Sequence, residues 1–168
     1  MARVWTIAWE APAPDRPSSA FAQQDQVPTT LVPCDAFDAA TDESVILTGI
    51  VPAEYASGTL YLVIKACANT TTAADDARID VATEFKTPGA AEAMNSSGID
   101  GTPDSGTMTF STTAYSLQTL TIALTPATTP AAGDHFRIQV TRDANNGASL
   151  DDLASDLLVV GYELHEGS

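Results

Sequence analysis

The chain has 168 residues, enough for one domain with a core of its own, and 44% hydrophobic content separates it from disordered sequences. It carries 22 acidic residues against 7 basic ones, a net charge of −15. A surface of that sign repels phosphate backbones and anionic lipid head groups, which excludes nucleic acid and membrane as partners.

Residues 1–30 read as an arm distinct from the domain at 31–168. The opening MARVWTIAWEAP has no long apolar run behind a basic start, so no export leader is expected. In an extended segment Trp5, Ile7 and Trp9 fall on one face, and Pro12, Pro14 and Pro17 stop it from continuing as a helix or regular strand. Arg3 and Arg16 nearly balance Glu10, Asp15 and Asp25, so the negative charge belongs to the body. The apolar face of the arm suits two roles: a docking strand added to a neighbouring sheet edge, or a cover folded back over its own sandwich.

From residue 31 β-branched and apolar runs recur between turn residues. They predict strands near 31–37, 44–51, 59–68 and 78–86, then near 107–113, 119–125, 135–142 and 157–164. Ile79, Val81 and Phe85 alternate with Arg78, Asp80 and Glu84. Phe136, Ile138 and Val140 alternate with His135, Arg137 and Gln139. A period of two with one apolar face is the pattern of antiparallel strands covering a core. Short helical turns are expected at 52–57 and 149–154, and an exposed loop at 87–106. The predicted fold is all-β: an eight-stranded antiparallel jelly-roll β-sandwich with an extended N-terminal arm. Cys34 and Cys67 lie on predicted strands and read as buried free thiols, with a disulfide as the alternative.

Catalytic constellations are missing. His135 and His165 are the two histidines, neither in zinc spacing with another His or Cys, and no nucleophile elbow, P-loop or dinucleotide fingerprint occurs. The chain reads as a non-enzyme without a cofactor. The stretch RDANNGASLDD, 142–152, offers oxygen ligands: Asp143, Asn145, Asp151 and Asp152 could form a loose calcium site. In an EF-hand register Gly147 falls one place early and no closing Glu follows. The competing reading is a turn before the last strand, braced by Arg142 and Asp143. A sugar-binding sandwich would favour exposed aromatics. Here they are scattered, with Phe85 and Phe136 on core faces, and no platform is visible.

Three segments carry a resemblance: SSAFAQQD, FDAATDESVILTGIVPAEYASGTLYLVIKA and GDHFRIQVTRDANNGASLDDLASDLLVVGYEL. In order and interval the chain resembles small virion proteins of tailed phages, departing where TLYLVIKACAN lacks an aromatic near Cys67. The resemblance implies a jelly roll on the outer surface of the virion, made in the host cytoplasm, trimeric or otherwise oligomeric, with no catalysis. The expected function is a capsid decoration (cement) protein whose partner is the major capsid protein or another virion protein, anchored through Trp5, Ile7 and Trp9. The alternative is a head-fibre or tail-associated receptor-binding module that reads host glycans.

Overall fold

The structure is a computed structural model of the chain, describing residues 3–11, 15–70, 75–89, 99, 102–144 and 151–167. Among these residues there are ten strands and no helix. In chain order they are β1 (Arg3–Glu10), β2 (Gln23–Gln26), β3 (Pro33–Phe37), β4 (Glu43–Ile50), β5 (Thr59–Ala68), β6 (Asp76–Lys86), β7 (Asp104–Thr109), β8 (Gln118–Ala123), β9 (His135–Arg142) and β10 (Leu157–Gly167).

They form a sandwich of two antiparallel sheets. Sheet A runs β2-β3-β10-β5-β8 and sheet B runs β4-β9-β6-β7. All eight strands expected from the apolar, β-branched runs are present, and the arm adds two more to sheet A, correcting the count of eight. β1 pairs with β10 from Arg3↔Gly167 to Glu10↔Gly161, on the edge that β3 occupies only as far as Val159. The arm thus continues the edge where β3 leaves off. β2 pairs with β3, and all four of its residues are exposed. A strand with no buried face has no hydrophobic period, which is why QQDQ carries no strand signal.

Between β1 and β2 the chain crosses to the other sheet. Asp15 bridges Ile46 and Phe21 bridges Ser44, so this strap covers the edge of β4 and leaves that edge less open to foreign strands. A buried charge holds the strap: Arg16 donates to Asp35 at 2.7 Å and to the carbonyl of Ala22, and Tyr162 donates to Asp35 at 3.0 Å. Burial, with the Asp35 charge beside it, holds the Tyr162 hydroxyl well above the ordinary tyrosine range.

Inward-facing Leu60, Leu62, Ile64, Tyr162 and Leu164 of sheet A meet Val45, Leu47, Ile79, Val81, Phe85, Phe136 and Ile138 of sheet B. Each such side chain contributes roughly 1.5–3 kcal/mol on burial. Phe136 is central: Trp9 meets it edge-on at 5.9 Å, Phe85 lies at 6.2 Å, and its ring covers Gly49, where a Cβ would come within 2.6 Å. A second, smaller cluster lies on the outer face of sheet A, formed by Val27, Cys34, Ala36, Cys67 and Leu158. Cys34 on β3 and Cys67 on β5 are free thiols. They flank β10, and two strand spacings amount to about 9.5 Å, beyond the roughly 7 Å that a disulfide spans. Burial, then the nearby Asp25 charge, pushes the Cys34 thiol up to about 11.

The short helical turn expected at 52–57 is a β-turn, Tyr55 N donating to Pro52 O. Its next amides are used elsewhere: Ala56 N and Gly58 N donate to the carboxylate of Glu166, which is 1% exposed. The turn expected at 149–154 falls partly outside the described residues, and 151–154 are not helical. There Asp152 N and Leu153 N both donate to Asp76 O.

Candidate functional site

Alternation on sheet A sends every second side chain away from the core, and the outer face so formed carries several polar and aromatic side chains. At one end the β7–β8 loop holds Tyr115 against the sheet, its amide donating to Ala68 O at 2.8 Å and its backbone at a φ of 59°. A left-handed conformation is uncommon for a bulky residue and persists only where surrounding structure imposes it. Here it sets the half-buried ring against the small apolar cluster.

Beside that ring is a cleft of about 370 Å³. Tyr115 and Leu158 give it apolar surface, while Gln26, Asn69 and Ser155 bring amide and hydroxyl groups and Asp25 and Asp156 bring carboxylates. No lysine or arginine lines it. Its residues come from β2, the end of β5, the β7–β8 loop and the approach to β10. No contiguous motif could announce it.

Further along the face Tyr61 of β5 stands opposite His165 of β10, the rings stacked at 5.5 Å and 17°. Glu163 lies next on β10, 3.6 Å from His165 and 3.8 Å from Lys65. This aromatic was legible in the sequence: in TLYLVIK, placing Leu60, Leu62 and Ile64 inside puts Tyr61, Val63 and Lys65 outside.

The arm residues singled out from sequence point inward. Trp5 is 9% exposed, and its indole donates to Glu166 at 2.8 Å. Ile7 and Trp9 are half-buried against the main core. Of the two roles open to the arm, the structure has it covering its own sandwich. The calcium candidates have other partners. Asp151 takes a bidentate pair from Arg142 at 2.8 and 3.0 Å and also accepts from Arg78 N. Asp152 accepts from Asp76 N at 2.6 Å. Asp143 N donates to Arg78 O, and Asn145 lies outside the described residues. Among the described residues no three His, Cys, Asp or Glu side chains are grouped to hold a metal ion.

No protein-family profile and no curated protein sequence matches the chain. Solved structures do. The CBM36-1 domain of a multidomain xylanase from the hindgut metagenome of Trinervitermes trinervoides aligns over 97% of this chain and 98% of its own, with a TM-score of 0.52 at 12% identity. A carbohydrate-binding module CBM36 in complex with calcium and xylotriose aligns over 94% of this chain and 98% of its own, with a TM-score of 0.49 at 17% identity. The likeness is one of fold. It corrects the resemblance drawn from sequence: the structure aligned at a TM-score of 0.52 is the CBM36-1 domain of a xylanase, not a virion protein. The cement function, the capsid partner and the trimer fall with it. The chain is a β-sandwich of two antiparallel sheets like that domain.

Proposed function

We propose that this chain is a non-catalytic glycan-binding module and that the Tyr115 cleft takes the sugar. The order β3-β10-β5-β8 facing β4-β9-β6-β7 supports reading the sandwich as a jelly roll, an architecture that hosts lectins. Fold alone carries no function. The observation that carries the reading is the cleft, where a half-buried tyrosine ring is ringed by amide, hydroxyl and carboxylate side chains. A sugar ring presents an apolar face of C–H groups and a rim of hydroxyls that both donate and accept. An aromatic face with Asn, Gln, Ser and Asp around it complements both. Absence of lysine and arginine from the lining, on a chain of net charge −15, favours a neutral glycan over a uronate or sulfated one.

Affinity electrophoresis through gels containing neutral polysaccharides, with a glycan array beside it, tests the reading. Retardation by at least one neutral polysaccharide is expected. Asn69 and Asp156 are exposed, so Asn69→Ala and Asp156→Ala remove ligand contacts without touching the core. A lost hydrogen bond of about 0.5–1.5 kcal/mol weakens binding roughly 2- to 13-fold, with the melting temperature unchanged. Retention by no neutral glycan, or full retention of both variants, overturns the proposal.

A further inference from the structure

The cleft is not the end of the concave surface on this face. Between it and Tyr61 lies a second depression of about 180 Å³, where Gly161 of β10 and Ala8 of β1 leave the sheet low beside Lys65 and Glu163. Gly161 stands opposite Lys65 on one side and Glu10 on the other, so the low ground crosses β10 in mid-face. Beyond it Tyr61 has His165 on one side and Ala123 of β8 on the other. Ala123 is small, exposed and on the last strand of the sheet, so one face of the half-buried Tyr61 ring opens above it. From Leu158 in the cleft to His165 is seven residues of β10, about 23 Å at strand rise.

The geometry points to an extended site: the cleft, the Gly161 depression and the open face of Tyr61 together hold one linear chain of neutral linked sugars along the outer face of sheet A. This rests on the glycan reading above and adds to it the direction and length of the ligand. Three features in line on one face fit a polymer better than a single terminal sugar. Neighbouring sites on one ligand raise affinity by making each later contact intramolecular. At mid-face the exposed Lys65 lies 3.8 Å from Glu163, so its charge is paired there and does not call for an anionic sugar.

Isothermal titration with the dimers, trimers and hexamers of β-1,4-linked xylose and of β-1,4-linked glucose tests it on the full chain. The hexamer of the sugar that binds should exceed its dimer by about tenfold or more in affinity. A Cβ at Gly161 meets only Trp9 O at 3.4 Å, and the backbone there is not left-handed. Gly161→Gln therefore fills the depression with the fold intact. It should bring the hexamer down to the wild-type dimer's affinity, and Tyr61→Ala should remove most of the same gain. Equal affinity for dimer and hexamer, or an undiminished gain in Gly161→Gln, overturns the extended site and leaves the cleft reading standing. Gel retention by a neutral polysaccharide with no binding of any oligomer also overturns it. Binding in neither assay sinks both.

Discussion

At the scale of single residues, a few buried charges hold the molecule by drawing neighbouring segments onto the strands. Arg142, at 0% exposure, donates to Asp151 twice and to the carbonyls of Phe37, Ser155 and Leu153. A guanidinium has five N–H groups, and here each has an acceptor. The segment 151–155 is thereby folded over the end of β9, and Asp151 is held by the arginine that opens RDANNGASLDD. Asp151→Ala leaves that guanidinium buried without its counter-charge and should cost about 3–5 kcal/mol, read as a shift in the denaturant midpoint with unchanged m-value. Asp152→Ala, which removes one backbone contact, should cost about 1 kcal/mol. A chelator should move neither midpoint. If Asp151→Ala is silent, or chelator lowers the wild-type midpoint, the loop holds a metal and not a brace.

At the scale of elements, strands that bury one face or both were legible and the strand that buries neither was not. β6 and β9 alternate because each covers the core with one side and meets solvent with the other. β2 meets solvent on both, so its sequence is silent. β1 was legible as an apolar face but not as to what it faces, because the answer lies in Glu166, separated from Trp5 by 161 positions. The segments that carried the phage resemblance have local explanations. In FDAATDES, Asp38 accepts from the amides of Ala40 and Thr41 and closes the turn before β4. PAEYASG presents the amides of Ala56 and Gly58 to Glu166. Turn chemistry of this kind recurs wherever an acidic sandwich needs it, so it did not identify a family. β1 is an integral strand: Trp5→Ala empties a core site and removes the indole donor from Glu166, and should cost about 3–5 kcal/mol. Thermal melts of the variant check this. A shift of less than a degree would mean that β1 is a loose cover.

At the scale of the whole molecule, the strap makes one unit of two sheets. Within residues 3–26 the chain pairs with β10 in sheet A, bridges β4 in sheet B and returns to β3 in sheet A. Arg16 fixes the crossing by reaching buried Asp35. Separation of either sheet strips pairing from the strap, and detachment of the strap exposes Trp5 and the edge of β10. Cooperative loss of everything together is therefore favoured over stepwise loss. The sequence supplies a probe, since both tryptophans lie in β1. Their emission reports arm docking, while far-UV circular dichroism reports the two sheets. In urea the two signals should give one superimposable transition, with the tryptophan spectrum moving to longer wavelength at the midpoint where ellipticity is lost. Arg16→Ala leaves Asp35 buried without its cation and frees the strap from the sandwich. In that variant the tryptophan transition should move to lower urea ahead of the dichroism. A wild-type tryptophan transition that already runs ahead would mean that the arm docks independently, and that the sandwich at 31–168 stands without it.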